Sequence, residues 1–135
     1  MTIWKLLSRQ GTGKIDAMAK NLDIGRAGEA FAKVFLEDGG FEILHQNWRH
    51  SHFEIDIIAA KANVLHFVEV KTRSSGIYGP PEENVTRKKL GNLISAGEAY
   101  LDLNPHWKMV QYDILSINLN GKSPPEYFFI EDVYL

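Results

Sequence analysis

The sequence predicts an α/β domain with an antiparallel hairpin at its centre. Two stretches, one opening at Gly25 and one running from about Val85 to Leu103, carry apolar residues at helical spacing. Between them, FEIDIIAAKANVLHFVEVKTR at 53–73 reads as two strands around a short turn, rich in Ile, Val, Phe and Ala. At 135 residues the chain has the length of one domain and can bury a sizeable core.

Residues 1–24 are weakly patterned, carry GTG at 11–13, and read as an N-terminal arm or short helix ahead of a domain spanning 25–135. In GRAGEAFAKVFLEDGG, Ala27, Phe31, Val34 and Phe35 fall on one stripe, and Gly39-Gly40 stops the helix. FEILHQNWR at 41–49 is a strand, followed by the His-rich turn HSH and then the hairpin. SSGIYGPPEE at 74–83 is a loop by its Gly and Pro content. In the second helix Leu90, Leu93, Ile94, Gly97 and Leu101 form the inner face, and Pro105 closes it. WKMVQYDILSI at 107–117 is a further strand, NLNGKSPPE a turn and YFFIEDVYL a last strand. The predicted order is α-β-β-β-α-β-β.

Side chains alternate across a strand, so each face of the hairpin can be read separately. A two-residue turn at Ala62-Asn63 pairs Lys61 with Val64. One face then pairs Ala60–Leu65, Ile58–Phe67, Asp56–Glu69 and Glu54–Lys71, and the other pairs Ala59–His66, Ile57–Val68 and Ile55–Val70. The second face is mostly apolar throughout, whereas the first changes from core to charge at one end. Two directly opposed carboxylates have Cβ atoms about 4.5–5.5 Å apart and repel. Stability gains nothing from such a pair, but a divalent cation does. Mg²⁺ takes one or two carboxylates and keeps several waters, and a bound metal activates water and stabilises charge on phosphoryl oxygens. Lys71, on the face of Glu69, can orient the attacking water or balance that charge. The bland alternative is a solvated cluster of ion pairs on an exposed strand face.

Glu29 lies off the apolar stripe near a helix N-terminus, where the dipole favours an acid in any case. Lys88 and Lys89 open the second helix against the dipole preference, which points to a phosphate partner. His45, His50 and His52 lack the helical i, i+4 spacing of a zinc pair. Gly76 and Gly79 around Tyr78 match neither phosphate-binding fingerprint.

GRAGEAFA, FEIDIIA, HFVEVKTRSS, YGPPEENVTRKK and YDIL, in that order, resemble the blocks of the YraN-like family of predicted endonucleases. That family is assigned to the restriction-endonuclease-like, or PD-(D/E)xK, fold and is akin to archaeal Holliday junction resolvases. The likeness spans roughly residues 22–118. It implies a mixed central sheet with helices packed on both faces. It also implies that Asp56 and Glu69 bind the metal, Mg²⁺ or Mn²⁺, and that Lys71 is the catalytic lysine of an E-x-K tripeptide. Glu29 matches the family's acid on the first helix, and Lys89 or Lys88 its lysine at the start of the second. Where the family writes glycine before Glu-Ile-Asp, this chain has Phe53, which narrows the entrance or stacks on a base.

Composition adds bounds. The formal net charge of −2 gives no global basic field, so contact with nucleic acid must rest on a local patch. Residues 45–89 carry seven Lys/Arg against five Asp/Glu, a local +2. Arg49, Arg73, Lys88 and Lys89 are the candidate DNA contacts. The absence of cysteine excludes disulfides, thiolate metal sites and a Cys nucleophile. No apolar run reaches the length of a membrane span, and none at the start makes a signal peptide, so a cytoplasmic protein is expected. The resulting expectation is a metal-dependent nuclease acting on DNA, at branched or other non-duplex structures, with a homodimer compatible with this reading. The rival, favoured by Phe53, is a catalytically silent nucleic-acid-binding or protein-interaction module on the same fold.

Overall fold

The computed structural model describes residues 24–74, 86–119 and 123–133, together with the backbone of residues 3–8. Among the described residues the elements follow in the order β1 (Ile3–Ser8), α1 (Ile24–Asp38), β2 (Glu42–His50), β3 (Phe53–Lys61), β4 (Val64–Arg73), α2 (Arg87–Leu103), β5 (Met109–Asn118) and β6 (Glu126–Glu131). The strands form one six-stranded sheet in the order β1-β6-β5-β4-β3-β2. β4 and β5 are parallel and joined through α2, whereas the remaining neighbours are antiparallel.

The order corrects the predicted α-β-β-β-α-β-β by a leading strand. Residues 3–8, expected as part of an arm or short helix, pair along β6 from Ile3–Glu131 to Ser8–Glu126. An edge strand takes its hydrogen bonds from a neighbour that here lies more than a hundred residues away. Local patterning does not register so distant a partner. The GTG at 11–13 and almost all of the 74–83 loop lie outside the described residues, as does Val85.

Two helices cover the two faces. Ala27, Phe31, Ala32, Phe35 and Leu36 of α1 pack with Ile57, Ala59, Val68, Leu115 and Ile117. Leu93, Ala96 and Tyr100 of α2 pack with Ile58, Leu65 and Phe67. Because Ile57 and Ile58 are successive strand residues, the helices lie on opposite sides. α1 ends as predicted: Gly40 has φ +92°, and Phe41 N–H donates to Leu36 O at 3.0 Å. α2 begins at Thr86, whose hydroxyl accepts from Lys89 N–H at 3.2 Å. No helix among the described residues is long and apolar enough to cross a membrane.

Two glycines set how closely the helices approach. A Cβ on Gly28 would stand 1.8 Å from Thr72 Oγ1, so only glycine lets α1 press onto β4 here. A Cβ on Gly97 would stand 2.6 Å from the Tyr112 ring and 3.0 Å from Phe67. Gly91, also in α2, has nothing among the described residues within 4 Å of such an atom. Gly28→Ala should therefore destabilise the fold by roughly 1–3 kcal/mol through overpacking, and Gly91→Ala should stabilise it by about 0.5–1 kcal/mol. Urea unfolding of both variants checks the pair, and equal effects would contradict the close approach at Thr72.

Candidate metal centre

The hairpin turn is as the sequence predicts, with Ala62 at φ 51° and Asn63 at φ 64° making a two-residue turn. Pairing runs from Lys61–Val64 through Ala60–Leu65, Ala59–His66 and Ile58–Phe67 to Ile57–Val68. There it stops. The expected ladder pairs Asp56–Glu69, Ile55–Val70 and Glu54–Lys71 are not formed, because the two strands part. β4 continues in register with β5 as far as Arg73–Asn118. The first part of β3 stays with β2 through Phe53–His50, Glu54–Arg49 and Ile55–Trp48. Strict alternation also breaks at this point: Ile57 packs in the α1 cluster and Ile55 in the α2 cluster.

Asp56 and Glu69 are the first residues past the last pair, one on each branch. Asp56 Oδ2 accepts the backbone N–H of Val70 at 2.8 Å, so a side chain bridges the strands where the ladder ends. Glu69 Oε2 is buried without a hydrogen-bond partner among the described residues. Asp56 is half-buried, and its carboxyl is pushed from 3.8 up to about 6. Burial is the largest cause, and the Glu69, Glu29 and Glu54 carboxylates add to it, against the lowering effect of the Val70 hydrogen bond.

The four predicted acid and lysine positions come together. Glu29, the residue after Gly28, is near enough to raise Asp56, and its Oε2 accepts from Asn47 Nδ2 at 3.4 Å. Asn47 itself has φ 52°, a conformation that asparagine tolerates, in the stretch of β2 between the Gln46–Ile57 and Trp48–Ile55 pairs. The Lys71 ammonium is made easier to deprotonate by burial first and then by Lys89, while Glu69 acts the other way. A cleft of about 150 Å³ is lined by Glu54, Ile55, Asp56, Glu69, Lys89, Asn92 and Leu93.

Other candidates are distributed less favourably. Lys89 lines the cleft; its neighbour Lys88 is exposed and outside the lining. Arg49 is exposed and paired with Glu54 at 3.2 Å, and Arg73 Nε donates to Asn118 Oδ1 at 3.0 Å. Asn92 and Glu54 were not singled out from the sequence as site residues. Asn92 stands three residues after Lys89, on the same helix face, which was the available signal.

Among the described residues no group of three or more His, Asp or Glu side chains is arranged to hold an ion. A pair of carboxylates, one with an unsatisfied buried oxygen, fits a hard cation that keeps several of its waters. Asp56 and Glu69 are the residues that would hold it.

Comparison with known proteins identifies relatives. The model of the Uncharacterised protein family UPF0102 matches residues 28–117. A UPF0102 protein of Bacteroides thetaiotaomicron is 44% identical over 100 residues, covering 74% of this chain and 83% of its own. A UPF0102 protein of Rhodococcus jostii is 38% identical over 118 residues, covering 87% of this chain and 100% of its own. One from Flavobacterium johnsoniae is 40% identical over 115 residues, 78% of this chain and 89% of its own.

The raised Asp56 carboxyl has a thermodynamic consequence in the metal-free protein. Between 3.8 and about 6 the native state binds more protons than the unfolded chain, so this group's contribution to stability falls as pH rises through that window. Asp56→Asn should gain on wild type by about 2–3 kcal/mol between pH 4 and pH 7. Urea unfolding of both proteins across that range checks this, and a difference independent of pH would contradict the assigned burial.

Proposed function

The chain belongs to the uncharacterised protein family UPF0102, and we propose that it is a divalent-metal-dependent endonuclease of restriction-endonuclease-like fold, hydrolysing phosphodiester bonds in DNA. The observation that carries this is the buried, unpartnered Glu69 Oε2 beside Asp56 at the point where β3 and β4 part. An unsatisfied carboxylate oxygen is costly to bury, and a cation repays that cost.

When bound, Mg²⁺ or Mn²⁺ supplies a Lewis acid and a nucleophilic water at neutral pH. The protein supplies the rest. Asp56 and Glu69 would hold the ion, and Val70 N–H fixes the orientation of Asp56. Lys71, whose ammonium burial and Lys89 make easier to deprotonate, would orient the attacking water or balance charge on the phosphoryl group. Lys89, on the helical wall of the same cleft, offers its ammonium to the phosphate. Glu29 adds a third negative charge near Asp56, which strengthens attraction for the cation.

Phe53 favours a second reading, a nucleic-acid-binding module without turnover, because it stands where the family resemblance expects glycine. Cleavage assays separate the two. Linear, single-stranded and branched DNA are incubated with Mg²⁺ or Mn²⁺ and wild type, Glu69→Ala or Lys71→Ala. Each substitution should lower cleavage by roughly a hundredfold or more and leave DNA binding far less affected. Equal cleavage by wild type and Glu69→Ala would assign the activity elsewhere. Binding with no cleavage of any substrate would favour the silent module.

A further inference from the structure

A second cavity adjoins the acid cleft. It measures about 510 Å³ and is lined by His52, Phe53, Glu54, Asn92 and Ser95. Glu54 and Asn92 line both spaces, so the two are neighbouring compartments of one groove between the β2–β3 turn and α2. We propose that this cavity receives an unpaired nucleobase next to the phosphodiester held at the acids, which makes the substrate a strand with an unstacked nucleotide at the cleavage position. The proposal rests on the nuclease reading for the neighbouring site and names the substrate class for it.

The lining argues for a base and against a phosphate. Among the described residues no Lys or Arg lines this cavity, whereas Lys89 lines the acid cleft beside it. The Glu54 carboxylate in the lining is held by Arg49 at 3.2 Å. Glu54, Asn92 and Ser95 offer hydrogen-bond acceptors and donors to a flat polar edge. Phe53 supplies the flat apolar partner. It is half-buried and packs against the cluster of Ile55, Ile58, Phe67 and Leu93, so its ring is held from behind. The exposed His52 ring lies against it at 4.1 Å between centroids, tilted by 35°.

An aromatic platform of this kind stacks with any base, but a base in a duplex already has both faces covered. Occupying the cavity therefore requires a nucleotide that is unpaired or cheaply unpaired. A single strand, a gap, a flap or a branch point offers one.

Binding is tested without divalent cation, so that no turnover is needed. The probes are a single-stranded oligonucleotide, the fully paired duplex of the same sequence, and the same strand made of abasic residues. Wild type should prefer the single strand over both others. Phe53→Ala should lose roughly tenfold to a hundredfold in affinity for the single strand and change less than about threefold on the duplex and the abasic strand. Phe53→Trp should restore the single-strand affinity, and the duplex and abasic binding kept by Phe53→Ala excludes misfolding as the cause of its loss. Equal binding of abasic and normal strands, or equal losses on single strand and duplex, would overturn the proposal. The nuclease reading fails separately. A protein that binds unpaired strands through Phe53 but never cleaves keeps this inference and loses that reading. One that cleaves paired duplex with Phe53→Ala unimpaired does the reverse.

Discussion

The fold turns on one forked hairpin. β3 and β4 pair only as far as Ile57–Val68, and beyond that β3 is held by β2 and β4 by β5. Each branch keeps one edge in the sheet, so the fork costs few backbone hydrogen bonds. The Asp56 carboxylate accepting Val70 N–H at 2.8 Å closes its apex. Everything at the candidate site takes its position from this fork: Asp56 and Glu69 on the two branches, Lys71 two residues further, and α1 and α2 on the two faces.

The sheet carries a second buried carboxylate that shows what a structural one looks like. Asp113 is fully buried, 2.7 Å from His66 Nδ1, and accepts from Gln111 Nε2 at 3.0 Å and from Asp132 N–H at 2.9 Å. Both of its oxygens are satisfied within the fold, as stability requires of buried charge. Glu69 Oε2 has no such partner among the described residues, and Asp56 is pushed towards protonation first by burial and then by the acids around it. Acids packed so that they oppose one another impose a cost that function must justify.

Much of this arrangement was legible in the sequence. The Ala62-Asn63 turn and the alternation of the hairpin fixed the register, and with it the placing of Asp56 and Glu69 one step beyond Ile57 and Val68. The helical stripes gave α1 and α2, with Leu90, Leu93 and Gly97 facing inward as expected and Ala96 and Tyr100 joining them. The end of the ladder was not legible. Register extrapolates indefinitely along a strand, whereas the fork depends on β2 and β5 competing for the outer edges, a tertiary effect. β1 was hidden for the same reason, since its partner is at the other end of the chain. Asn47 escaped notice because its left-handed backbone and its reach to Glu29 exist only once β2 lies beside α1.

Under the proposed function, the unpartnered Glu69 Oε2 beside Asp56 is kept to bind a cation. Calorimetric titration of Mn²⁺ into the protein at pH 7.5 tests it most directly, with Glu69→Gln as the comparison because that variant keeps the shape and loses the charge. Wild type should bind the ion saturably and Glu69→Gln at least tenfold more weakly, about 1.4 kcal/mol or more. Absence of binding to wild type, or equal affinity in the two proteins, would contradict it.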